Sequence, residues 1–165
     1  MESLAIRRPS RHELGALIGM MIALGVFAMC FAGLFFAYAV VRAQAGSWPH
    51  RLPLALPAFN TALLLASSFA IARRKLALTA LLGIAFLGLQ TVVWVQQAKS
   101  GLLWNGTQQG SVFYALTWFH ALHVIASLIA IACVRGKAGR ARLAALFWHF
   151  VDAVWVVTFL TVYVF

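Results

Sequence analysis

Five long apolar runs, at about residues 14–42, 54–72, 76–98, 110–134 and 143–165, alternate along the chain with short polar segments. At a rise of about 1.5 Å per residue, each run is long enough as a helix to cross a hydrocarbon core about 30 Å thick. The pattern predicts an all-α, polytopic membrane protein, a bundle of five transmembrane helices forming a single domain over residues 1–165. The first run has no small-residue cleavage site or polar mature domain after it, so it reads as a spanning helix and not as a signal peptide.

Composition supports a lipid solvent. The 165 residues are 64% hydrophobic and 10% charged, with a mean hydropathy of +0.92, more apolar surface than a soluble domain of this size can hide. The formal charge of +10 lies in short clusters between the runs and not in one patch, which argues against a nucleic-acid partner. Ten of the thirteen basic residues fall on one side: Arg7, Arg8 and Arg11, then Arg73, Arg74 and Lys75, then Arg135, Lys137, Arg140 and Arg142. Only Arg42, Arg51 and Lys99 fall on the other. The positive-inside bias then places the N-terminus in the cytoplasm and the C-terminus outside. The two outer loops, residues 44–53 and 99–110, hold turn formers with Trp48 and Trp104 but no ligand cluster, so catalysis outside the membrane is not expected. Cys30 and Cys133 lie inside apolar runs and read as small packing residues, not as a disulfide framework.

Within the runs, the few polar and small residues carry the remaining information. Gly15 and Gly19 stand at GxxxG spacing, with Gly25 and Gly33 further along, a candidate subunit-contact face where backbones could approach closely. Gln90 and Thr91 are expected to bond across to a neighbouring helix. The strongest concentration lies in the last two runs, where His120 and His123 share one helix face and His149 and Asp152 share another, each pair at i, i+3. A polar group in hydrocarbon needs a partner, and these two faces are expected to meet. By helix rise, His123 and Asp152 lie within about one turn of each other in depth, whereas His120 and His149 differ by roughly 12 Å. Four groups so spread do not converge on one point. Bis-histidine haem ligation, a closed metal site and a proton path are each less well matched than an interhelical structural network of His120, His123, His149 and Asp152.

Two stretches here also resemble a known family. Residues 113–125, reading FYALTWFHALHVI, are similar to the FYxxTGxHGxHVxxG stretch of subunit III of the haem-copper terminal oxidases. Residues 148–155, reading WHFVDAVW, resemble the WHFVDxVW signature of its last helix, and residues 31–38, 60–68 and 83–90 match the other helices in order. Five helices suit the short bacterial form, which lacks the two N-terminal helices of the longer one. The resemblance implies an accessory subunit of a cytochrome c or quinol oxidase that is not catalytic on its own and carries no haem or metal, with haem and copper held by the partner catalytic subunit I. It further implies packing beside subunit I and other oxidase subunits, contact with membrane lipids, and a place in the bacterial cytoplasmic (inner) membrane. The chain departs from the pattern at several acidic positions. Val26-Phe27 stands where the family usually has Ser-Glu, Val93 where it has a Glu before the helix-closing Trp, and basic and apolar residues around Arg142 where it has a Glu. The alternatives are an accessory protein of a nitric oxide reductase, a b-type haem electron carrier, and a small transporter.

Overall fold

The computed structural model describes residues 10–45, 53–134 and 138–164. Arg7, Arg8, Trp48, Arg51, Arg135 and Lys137, which entered the charge and loop readings above, lie outside the described residues. The described residues form five helices, α1 (Arg11–Gln44), α2 (Ala55–Ala72), α3 (Leu76–Lys99), α4 (Gln108–Ala132) and α5 (Ala138–Phe159), the last continued by a π-helical turn (Leu160–Val164). All five are long and apolar enough to span a membrane, and no strand occurs among the described residues.

Local chemistry sets the helix ends. Ser10 and Glu13 form a capping box on α1: Glu13 N–H donates to Ser10 Oγ at 3.2 Å and Ser10 N–H to the Glu13 carboxylate at 2.9 Å. Thr107 caps α4, its hydroxyl accepting from Gly110 N–H at 3.0 Å. A Cβ on Gly110 would overlap the carbonyl of Leu103, so only glycine fits the turn there. Helices α2 and α3 both end in Schellman motifs. Lys75 N–H reaches Ala70 O and Arg74 N–H reaches Ile71 O, while Leu102 N–H reaches Gln97 O and Gly101 N–H reaches Ala98 O. Gly101 takes the left-handed position at φ 92°, whereas at the other motif Arg74 holds φ 57°, a conformation less favourable for a residue with a side chain.

One boundary differs from the sequence reading. Arg140 and Arg142 lie in the first turns of α5, not in the connecting turn. Charge ends a hydropathy run, but arginine is a good helix former, and the backbone keeps its helical bonds past the apolar stretch.

Helix α5 is central: α2, α4 and α1 all pack on it, and α3 completes the bundle against α2 and α4. Towards the basic end, marked by Arg73-Arg74-Lys75 and Arg142, the core gathers Leu24, Leu64, Phe86, Val124, Trp148 and Trp155. The far end gathers Phe31, Tyr38, Val93, Phe113, Tyr114 and Tyr163. In the π-helical turn the adjacent residues Val162 and Tyr163 are both buried. Helix α1 is peripheral, burying only Leu24, Phe31 and Tyr38, one stripe at seven-residue spacing. Cys30 and Cys133 are both exposed on the bundle surface, which corrects their reading as packing residues. In a membrane helix, lipid-facing and core-facing positions are equally apolar, so an apolar neighbourhood in sequence does not imply burial.

Gly83 on α3 lies directly against the Trp148 ring of α5: an added Cβ would stand 2.5 Å from that ring, a side chain itself 1% exposed. Gly83→Ala is therefore expected to overpack the core and lower stability by about 1–3 kcal/mol in a thermal melt of the detergent-solubilised protein. Gly88→Ala, where an added Cβ meets no other helix among the described residues within 4 Å, should leave the melt unchanged or slightly raised.

Candidate functional site

The polar seam of the bundle is built on α5. Trp148 and Trp155 stand seven residues apart, hence on one face, and both are fully enclosed. Trp148 Nε1–H donates to Ser67 Oγ at 2.9 Å and Trp155 Nε1–H to Thr61 Oγ1 at 3.0 Å, both on α2. The two hydroxyls in turn donate back to their own helix, Ser67 to the Leu64 carbonyl and Thr61 to the Pro57 carbonyl. Each indole and each hydroxyl proton is thereby used. At the residues next to Ser67 and Trp148, a 2.9 Å hydrogen bond joins Ser68 Oγ to His149 Nδ1, and the same hydroxyl lies beside Asp152. Asp152 is 4% exposed, and neither of its oxygens has a full hydrogen bond among the described residues.

The histidines of α4 are placed differently. His123 Nδ1 lies 2.7 Å from the carbonyl of Phe119, which can only accept, so Nδ1 carries the proton. Its ring sits among Phe27, Phe31 and Phe119 at centroid distances of 4.5, 5.1 and 4.6 Å. His120 is wholly buried, its ring 4.9 Å from Trp155 and 5.8 Å from Phe86, with no described partner for either nitrogen.

The structure thus brings His149 and Asp152 together around Ser68, and sets His120 and His123 apart from them. No hydrogen bond among the described residues joins a histidine of α4 to His149 or Asp152, contrary to the expectation that the two faces meet. Helices α4 and α5 do pack, but through His120 against Trp155, while the polar pair of α5 turns to α2. Thr61, Ser67 and Ser68 were missed as partners. Their signal in the sequence was three hydroxyls within one apolar helix, opposite two tryptophans at i, i+7.

Elsewhere, Gln90 accepts from Asn60 Nδ2 of α2 at 3.2 Å, a cross-helix bond as expected. Thr91 instead donates to the Leu87 carbonyl of its own helix. Trp94 Nε1–H donates to Thr117 Oγ1 at 3.1 Å, tying α3 to α4. Gly15, Gly19, Gly25 and Gly33 all face outward, with no neighbouring helix among the described residues within 4 Å of where a Cβ would stand. At 100° per residue, Gly15, Gly19 and Gly33 fall opposite the buried stripe of α1. Among the described residues, no three His, Cys, Asp or Glu side chains are grouped so as to hold a metal ion.

The fold and this seam define a polytopic, five-helix membrane protein whose helices are joined by buried indole, hydroxyl and amide contacts. No family model matches the chain. It is 35% identical to a probable cytochrome c oxidase subunit 3 of Nocardia farcinica, over 96% of this chain and 90% of that one. It is 32% identical to cytochrome c oxidase subunit 3 of Corynebacterium diphtheriae over 96% and 90%, and 32% identical to that of a Synechocystis species over 89% and 74%. The chain belongs to the cytochrome c oxidase subunit 3 family, and so to a multi-subunit oxidase of the haem-copper type.

Because His149 bonds Ser68, Ser68→Ala removes the partner of a ring nitrogen and should destabilise the α2–α5 contact by about 0.5–1.5 kcal/mol. Thermal unfolding in detergent measures it, and an unchanged midpoint would show that the bond contributes nothing.

Proposed function

We propose that this chain is an accessory, non-redox subunit III that stabilises the catalytic subunit of a haem-copper terminal oxidase in aerobic respiratory electron transport. The observation that carries the reading is the use made of its intramembrane polar groups. The indoles of α5, the hydroxyls of α2 and the amides of α2 and α3 are spent on joining one helix to another. His149 bonds a serine and His123 a backbone carbonyl, so each has one ring nitrogen already engaged. That is the chemistry of a scaffold. Cytochrome c is the favoured electron donor of the complex, as in the names of the relatives.

The membrane is the bacterial cytoplasmic membrane, since the relatives compared are bacterial, with the Arg73-Arg74-Lys75 end in the cytoplasm by the positive-inside bias. Haem and copper belong to the catalytic subunit I partner. The outward glycine face of α1, with Gly15, Gly19 and Gly33 opposite the bundle, supports close packing against another subunit.

Purification of the tagged chain in mild detergent tests the reading. Haem-copper catalytic subunits should copurify, and the chain separated from them should show no Soret band. A Soret band stoichiometric with the isolated chain would make its histidines haem ligands and overturn the assignment.

A further inference from the structure

His149 is exposed on the bundle surface although it lies deep in the membrane. It stands seven residues beyond Arg142, about 10 Å by helix rise, further than an imidazole can reach towards the headgroups. One ring nitrogen is held by Ser68, which also lies beside Asp152, so the ring is fixed in position. No described residue bonds the other, Nε2. Hydrocarbon cannot bond it either, and an unsatisfied polar group there is costly.

The position of the ring on α5 indicates what satisfies it. At 100° per residue, Arg142, His149, Ala153, Val157 and Leu160 form one exposed stripe. The stripe lies between the side of α5 that carries Trp148 and Trp155 to α2 and the side where Phe147 stacks on Phe27 of α1, at 5.8 Å. Helices α1 and α2 pack on α5 but scarcely on each other, which leaves the stripe uncovered within this chain. Its middle is the small residue Ala153, four positions from His149, which lets a second helix come close.

We propose that the α5 stripe is covered by a transmembrane helix of another oxidase subunit, which places a hydroxyl, amide or carboxyl side chain against His149 Nε2. The proposal rests on the family's membership in a multi-subunit oxidase and assigns a contact face separate from the glycine face of α1. A lipid tail could fill the same space but would leave Nε2 unpaired.

The test uses the assembled complex. A short diazirine side chain is introduced at Ala153 and, separately, at Val157, with Leu81 of α3, 63% exposed, as an off-stripe control. Photolysis and mass spectrometry identify what each position touches. Adducts from both stripe positions should map to one transmembrane segment of another oxidase subunit, with a polar residue within a turn of the attachment point. In parallel, H149L should lower retention of the chain in the complex severalfold, while H149Q, which keeps a hydrogen-bonding group, should retain most of it. Adducts to lipid only, or to a second copy of this chain, overturn the proposal even where oxidase subunits copurify. Wild-type retention of H149L overturns it as well. Absence of any oxidase subunit from the preparation overturns both this proposal and the accessory-subunit reading.

Discussion

Hydrocarbon offers no hydrogen-bond partner, so a polar side chain placed at membrane depth gains stability by finding one in its own chain or in a neighbouring one. In this bundle that constraint turns two tryptophans into fasteners. Trp148 and Trp155 present large apolar rings to the core, and their N–H groups fit the Ser67 and Thr61 hydroxyls of α2. The register between α2 and α5 follows from this. A slip by one residue would turn both indoles off their hydroxyls and strand two N–H donors in a region without water. The other contacts build around that pair: Phe86 of α3 meets Trp155 edge-on at 4.8 Å, His120 of α4 lies against the same indole, and Gly83 makes room for Trp148.

A helix with three neighbours forms the middle of the bundle, and α1 with one narrow stripe of contact forms its edge. For a subunit of a larger complex this division is useful. The interior is specified by directional bonds, while the outward faces of α1 and α5 remain open to other chains.

The fold class was legible because lipid simplifies the problem. Once length and apolarity identify five spans, backbone hydrogen bonding leaves the helix as the available form for each. Gln90 too was legible, as an amide in an apolar run with one direction in which to bond. The histidine and aspartate seam was legible only in part. Spacing at i, i+3 fixes which residues of one helix share a face, but not which helix that face meets. His149 and Asp152 share a face of α5, but that face turns to Ser68 of α2 and not to α4, and Ser68 shows no pattern until α2 and α5 are placed side by side. His120 and His123 share a helix face yet serve two neighbourhoods, one against Trp155 and one among the phenylalanines of α1 and α4. Lipid-facing positions such as Cys30 were illegible for a related reason, since core and surface of a membrane helix carry the same apolar composition.

The central claim is that the indole–hydroxyl bonds between α5 and α2 hold the bundle in register. A double-mutant cycle on Trp155 and Thr61 measures this directly, using Trp155→Phe, Thr61→Val and the pair, with unfolding followed in detergent. The bond predicts that the double variant loses less stability than the sum of the two single changes, by about 0.6–1.7 kcal/mol, the range found for hydrogen bonds between membrane helices. Strict additivity would mean that the indole and the hydroxyl do not interact, and the register of α5 on α2 would need another cause.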